Sequence, residues 1–420
     1  MGLVARVYED VRRRPPVDSV LILLLLPILA VGIVFVFSAS YPRAGLDPFH
    51  VTGGDSYYYL KRQALYAVVG LLCMAAASLV NMQWLRRHAY HGYWLAVALL
   101  LLVLLFGEKA NEARRWLVIG PVRFQPSELA RLLGVVAVAR FIAERPKAVN
   151  TLPGVVAASF WAGLLALLIL LEPHLGGALV IAAILFAMLQ IGGARLRHLA
   201  VPMVVALLAA VILVFGFGYK KNRIVEGWRV VAACLGIFSS HKEDRILKDW
   251  QSGGKVELGV GYQATHAKMA FGSGGLGGRG FGESREKHFY LPEPHTDCIL
   301  AVLGEEMGVF GSLGVLLLFG FLIWRGFHIA KGARDSFQVL LASGLTLMIA
   351  IPAVVNIASV TGILPTVGLP LPLVSYGGSS LICSLAGIGL LLNVSRGESL
   401  SLERAEERRL RRDVLVTLEA

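Results

Sequence analysis

The chain is poor in charge. Only 16% of its 420 residues are Asp, Glu, Lys or Arg, against roughly 25% in soluble domains, which excludes an ordinary water-soluble globule. Cysteine is scarce as well. Cys73, Cys234, Cys298 and Cys383 show no C-x-x-C spacing and read as small buried apolar side chains. No internal repeat is visible, which argues against an inverted-repeat transporter. The glycine run Gly272–Gly280 follows no strand pattern and lacks the Gly-Lys-Ser/Thr ending of a nucleotide loop, so nucleotide binding there is rejected. Lys and Arg are missing altogether from 172–174 and 358–375.

What the chain has instead is apolar length. Hydrophobic residues make up 56% of it, concentrated in runs such as Ser19–Phe37, Trp94–Phe106 and Leu199–Phe217. Runs near 20 residues match a bilayer core about 30 Å thick. The pattern predicts an all-α polytopic membrane protein of about ten spans, with helices near 19–40, 63–80, 92–106, 126–143, 153–171, 175–191, 198–218, 297–324, 336–357 and 376–394. The first run follows Arg12–Arg14 and ends in Ser38-Ala39-Ser40. It is too long for a signal-peptide h-region and reads as a retained helix.

The formal charge is +12. Most basic residues lie in short loops between apolar runs, the positive-inside pattern, so nucleic acid is not the expected partner. Arg6, Arg12–Arg14, Arg86, Arg87, Arg145, Lys147, Arg195, Arg197, Arg325, Lys331 and Arg334 fall on one side. With an even number of crossings, both termini are expected in the cytoplasm. The expected organisation is a cytoplasmic segment at 1–18, a membrane domain at 19–395 with a large extracytoplasmic loop at 219–296 between helices 7 and 8, and a charged cytoplasmic tail at 396–420. Two loops, 41–62 and 107–125, carry basic residues on the unfavoured side, which suggests a local use such as an anionic ligand. The long loop holds Lys220, Lys221 and Arg223, an amphipathic stretch at Trp228–Phe238, and the glycine run.

Four motifs could carry chemistry. In Leu291-Pro292-Glu293-Pro294-His295-Thr296-Asp297, the aspartate stands at the mouth of a helix. It can serve as an N-cap or as a general base, with Glu293, His295 and Thr296 beside it. In Phe124-Gln125-Pro126-Ser127-Glu128-Leu129-Ala130-Arg131, Glu128 and Arg131 share a helix face at i,i+3, either as a structural ion pair or as the lining of a polar cavity. Leu171-Glu172-Pro173-His174 punctuates two helices. In the run 362–380, Ser375, Tyr376, Gly377, Gly378 and Ser379 could offer donors to phosphate or allow close helix packing.

Together HFYLPEPHTD, FQPSE and PLPLVSYGGSS resemble the SEDS family (shape, elongation, division and sporulation) over roughly 20–395. The resemblance implies a ten-helix peptidoglycan glycosyltransferase that polymerises lipid II at the outer face of the cytoplasmic membrane. It places the catalytic aspartate on Asp297 and the helix-entry acid and its basic partner on Glu128 and Arg131. Members usually carry Lys at 131 and Asp at 174, where this chain has Arg131 and His174. Gly261-Tyr262-Gln263, Pro365-Thr366 and Gly368-Leu369-Pro370 lean towards the division branch over the elongation branch. The chemistry implied is inverting transfer. A base takes the acceptor 4-hydroxyl proton, and cations hold the leaving diphosphate, with Lys268, Arg279, Arg285 and Lys287 as candidates beside Arg114, Arg115 and Arg123. No cofactor is required, although a divalent cation (Mg or Mn) could assist; no metal-ligand cluster is visible. The expected partners are lipid II, a class B penicillin-binding transpeptidase and other divisome or elongasome membrane proteins. A lipid II flippase and a non-catalytic scaffold are the rival readings. Glycan synthesis by purified protein separates them.

Overall fold

The computed structural model describes residues 17–46, 52–110, 113–120, 122–172, 174–216, 260–288, 290–364 and 368–396. Every expected apolar segment is helical: α1 Ser19–Gly45, α2 Tyr58–Ser78, α3 Met82–Phe106, α4 Pro126–Glu144, α5 Leu152–Leu171, α6 Leu175–Ile191 and α7 Leu196–Gly216. After α8, Val260–Gly274, come α9 Ile299–Lys331, α10 Ser336–Val360 and α11 Gly378–Arg396. By length and composition, seven of these (α1, α2, α3, α5, α9, α10 and α11) can cross a membrane. The chain is a multi-pass membrane protein.

Three details depart from expectation. Helix α3 starts at Met82, ten residues before the expected 92. Its first turns are polar and aromatic, and Asn81 caps them by accepting from the N–H groups of Gln83 and Trp84. The basic segment after α3 is a small antiparallel sheet: β1 Glu108–Ala110, β2 Ala113–Ile119 and β3 Val122–Phe124. The expected outer loop 219–296 contains α8, which packs on α9 and α10. Its Trp228–Phe238 stretch, Lys220, Lys221 and Arg223 lie outside the described residues, as do both chain ends.

Helices α4 and α10 sit at the centre. The first packs on α3, α5, α6 and α10, the second on α4, α6 and α9. Both bury side chains around most of their circumference, as a helix surrounded by helices must. Helix α11 closes the bundle against α2, where Gly389 meets the Met74 carbonyl and Gly70 meets Leu385.

Helix α9 is broken. Gly308 has φ 67° and ψ −162°, a conformation that only glycine adopts readily. The break separates a short N-terminal piece from a long arm, and the helix as a whole packs on α1 and α10.

Candidate functional site

Residues 284–287 bond to Glu305 and Glu306 beside the break in α9, and the turn 291–298 delivers Asp297 to a cleft. Glu293 sits at φ 48°, unusual for a non-glycine residue. Its carbonyl accepts from the Thr296 N–H and hydroxyl, both at 3.2 Å, closing a tight turn. Helix α9 begins at Ile299 with Cys298 in the cap position. Asp297 therefore precedes the cap by one residue, which weakens the capping explanation.

Asp297 is half-buried and lines a narrow cleft with Gln263, Ala267, Cys298, Asn356, Ser359, Val360, Gly368 and Leu369. A Cβ added to Gly368 would stand 3.4 Å from Asp297 Oδ2, so the glycine loop passes directly over the carboxylate. Asn356 Nδ2 donates to the Asp297 carbonyl at 2.9 Å and to the Leu369 carbonyl at 2.7 Å.

The 375–380 run joins the other motifs to this centre. Ser375 donates its hydroxyl to the Thr296 carbonyl and accepts from the Leu371 N–H. The Tyr376 N–H donates to the His295 carbonyl. Ser379 Oγ accepts from the Gln125 N–H at 2.9 Å. The Ser375 hydroxyl and the backbone N–H groups of Ser375 and Tyr376 are engaged by the protein, so these three are not the phosphate donors the sequence suggested. Gly378 allows close approach, packing against the Tyr66 ring. Gly32 does the same on α1, where a Cβ would stand 2.7 Å from the Leu373 carbonyl.

His295 is buried, its ring 4.4 Å from Tyr59 and 5.7 Å from Tyr376. Burial, with Arg43 nearby, pushes its pKa down to about 4, so the imidazole is neutral at pH 7. Glu293 is exposed, 4.0 Å from His295 Nε2. Glu128 and Arg131 form the expected pair at 3.0 Å, each side chain 7% exposed.

The basic candidates separate. Lys268 is exposed on α8, next to cleft residue Ala267 and packed over Gly362. Arg285 is exposed. Arg279 leans on the Ser273 carbonyl and lies 3.8 Å from Glu305. Lys287 contradicts the expectation of a phosphate-facing loop charge. Its side chain is 4% exposed and pairs with Glu306 at 2.8 Å, with Ser38 and the Gly282 carbonyl as further acceptors. A lysine so enclosed fastens the loop and reaches no solvent-side ligand. Arg114 and Arg115 likewise donate to backbone carbonyls of Leu104, Leu105 and Glu172, and Arg123 lies 3.6 Å from Glu108. Arg114, Arg115 and Arg123 thus fasten the small sheet.

Sequence reasoning missed Asn356, Gln263 and Ser359 in the cleft, and the buried acids Glu305 and Glu306. Three of these carried a signal. Asn356, Glu305 and Glu306 are polar residues inside apolar runs, where they are costly unless used.

Comparison with known proteins agrees. The chain is 37% identical over 391 residues to the "probable peptidoglycan glycosyltransferase FtsW" of Trichlorobacter lovleyi, covering 91% of this chain and 94% of that one. It is 34% identical to the stage V sporulation protein E of Bacillus subtilis, covering 90% and 97%. A chain from a structure titled "Structural coordination of polymerization and crosslinking by a peptidoglycan synthase complex" matches with TM-score 0.65 at 30% identity, covering 90% and 98%. The rod shape determining protein RodA of Thermus thermophilus matches with TM-score 0.62 at 30% identity, covering 90% and 97%. The family description "cell cycle protein", of the FtsW/RodA/SpoVE type, matches residues 18–400, and the chain belongs to that family.

Proposed function

We propose that the chain is a peptidoglycan glycosyltransferase that polymerises lipid II at the outer face of the bacterial cytoplasmic membrane, with Asp297 as general base. The observation that carries this is a carboxylate in a cleft built by four separated segments, at the mouth of a broken membrane helix. Asp297 takes the proton of the acceptor 4-hydroxyl. The freed oxygen attacks the anomeric carbon of the donor sugar, the bond from that carbon to the diphosphate oxygen breaks, and the configuration inverts. The leaving polyprenyl diphosphate takes the electron pair. Its charge is met by Lys268, exposed on α8 next to cleft residue Ala267, and by Arg285, exposed on the loop that leads to Asp297. Among the described residues no group of three or more His, Cys, Asp or Glu side chains is gathered to hold a metal ion.

The outer placement is supported by the loops 172–174 and 358–375, which carry no Lys or Arg, with both termini in the cytoplasm. The FtsW names of relatives favour a role in division. The similarity to a chain of a polymerising and crosslinking complex favours a class B penicillin-binding transpeptidase as partner, within a larger set of division membrane proteins.

The test is Asp297→Asn in full-length protein purified with its transpeptidase. Asn caps helices about as well as Asp but cannot accept the proton. The variant is expected to fold, insert and hold its partner while polymerising lipid II at least ~100-fold more slowly. Near-normal polymerisation by a folded variant would move the base elsewhere.

A further inference from the structure

Helix α8 meets the segment that carries Asp297 through two side-chain bonds one turn apart. Gln263 Nε2 donates to Cys298 Sγ at 3.0 Å, a weak acceptor. His266 Nδ1 lies 2.7 Å from Glu286 Oε2, with side chains 8% and 13% exposed. A carboxylate offers only acceptor sites, so Nδ1 carries the proton and the ring is fixed in orientation. The imidazole also stands between two tyrosines. Its centroid is 4.1 Å from the Tyr262 ring on its own helix and 5.9 Å from the Tyr290 ring on the facing segment. Glu286 is held at three points. Its N–H donates to Glu305 Oε2 beside the helix break at 3.2 Å, its carbonyl accepts from the Leu291 N–H at 2.9 Å, and its carboxylate meets His266. Both ends of the His266–Glu286 bond lead into the cleft. On α8, the residues three before and one after His266 are the lining residues Gln263 and Ala267. On the other side, Glu286 sets the start of the turn 291–298, whose Asp297 and Cys298 line the same cleft.

We infer that His266 and Glu286 are a positioning pair for the transfer reaction, tying the α8 wall of the cleft to the segment that presents the base. Neither residue touches substrate. The inference rests on the glycosyltransferase reading and deepens it by naming what sets the gap between the base and the opposite wall. Without the pair, α8 keeps its packing against α9 and α10 and the weaker Gln263–Cys298 bond. The fold therefore survives, while Asp297 and the α8 wall lose their fixed register. Proton transfer and in-line attack are sensitive to such slippage, since a displacement of about 1 Å can cost about a hundredfold in rate.

The test compares variants that break the bond with variants that keep it. Full-length protein with its partner transpeptidase is assayed on lipid II, with kcat and KM taken per folded molecule. His266→Ala and Glu286→Ala remove the bond, and each is expected to lower kcat about ten- to a hundredfold with a smaller change in KM. His266→Asn, whose amide nitrogen can stand in for Nδ1, and Glu286→Gln, whose amide oxygen can accept from it, should recover most of that rate. The double Ala variant should lose little more than the worse single one. Should the Ala variants fail to fold, His266→Leu and Glu286→Met, which fill the space without the bond, take their place. Amide hydrogen exchange gives a readout that needs no reaction. Residues 262–270 and 291–298 should exchange faster in the bond-breaking variants than in wild type or the two amide variants. Normal kcat in the bond-breaking variants, or equal losses in both classes of variant, would overturn the inference. Wild type that makes no glycan from lipid II, with exchange still responding to the pair, would instead overturn the underlying reading.

Discussion

The ion pair between Lys287 and Glu306 gives the sharpest prediction about how the site is held. Lys287 Nζ lies 2.8 Å from Glu306 Oε1, with side chains 4% and 0% exposed. Ser38 on α1 donates to both carboxylate oxygens, at 2.6 and 2.8 Å. Three separate pieces of chain (α1, the loop before Asp297 and the break in α9) therefore meet at one charge pair. Removing one partner of such a pair strands the other charge and costs about 3–5 kcal/mol, whereas replacing both by apolar groups is often nearly neutral. Lys287→Met and Glu306→Leu are each expected to lower the midpoint of thermal unfolding in detergent by several degrees. The double variant should fall well short of the sum, with a coupling of ~1–3 kcal/mol. Because Lys287 lies ten residues before Asp297 on a segment pinned at both ends, the single variants should also lose polymerase activity per folded molecule. A Lys287→Met protein with unchanged unfolding and unchanged activity would refute the reasoning. So would strict additivity in the double variant.

Other expectations are more local. Glu128→Ala and Arg131→Ala should each destabilise by about 3–5 kcal/mol, and a thermal-unfolding cycle should show coupling of at least ~0.5 kcal/mol; additivity would dissolve the pair. His295 has its pKa lowered from 6.5 to about 4 in the folded protein, so the unfolded chain takes its proton first as pH falls. Stability should be fully present above pH 6.5, decline by about 1.4 kcal/mol per pH unit towards pH 4, and show no such decline in His295→Gln. Lys268→Gln and Arg285→Gln should raise KM for lipid II without shifting thermal unfolding, and unchanged KM in both would remove them from the diphosphate site.

The helices were legible because apolar runs of bilayer length have few other uses. Their polar ends were not. Helix α3 begins ten residues early because Asn81 caps a turn that no hydrophobic period marks. Asp297 could be singled out because a carboxylate at the mouth of an apolar helix has only a few roles, and its motif carries the family resemblance. Lys287 was misread for the opposite reason. A lysine in a long polar loop looks solvated, and nothing local announces that its partner is Glu306, across a helix break. Asn356 was passed over inside an apolar run, although an amide at that depth is informative by itself.

The break in α9 also accounts for the glycine run that mimics a nucleotide loop. Interrupting a helix at membrane depth exposes N–H and C=O groups, each costing several kcal/mol if left unpaired. Here the run supplies the missing partners. Arg279 and Gly280 donate their N–H groups to the Glu305 and Glu306 carbonyls, both at 3.0 Å, while Val309 and Phe310 donate theirs to the Gly275 and Leu276 carbonyls, at 3.0 and 3.2 Å. Such pairing needs backbone against backbone. A Cβ on Gly278 would stand 2.1 Å from the Glu306 carbonyl oxygen, and one on Gly274 2.1 Å from that of Gly304. Glu305 then gathers the Ser273 and Ser284 hydroxyls and the N–H groups of Arg285 and Glu286. The glycines, the two acids and Lys287 thus form one device. It lets a short helical piece end inside the protein, and it sets the piece that begins just after Asp297 apart from the long arm beyond Gly308.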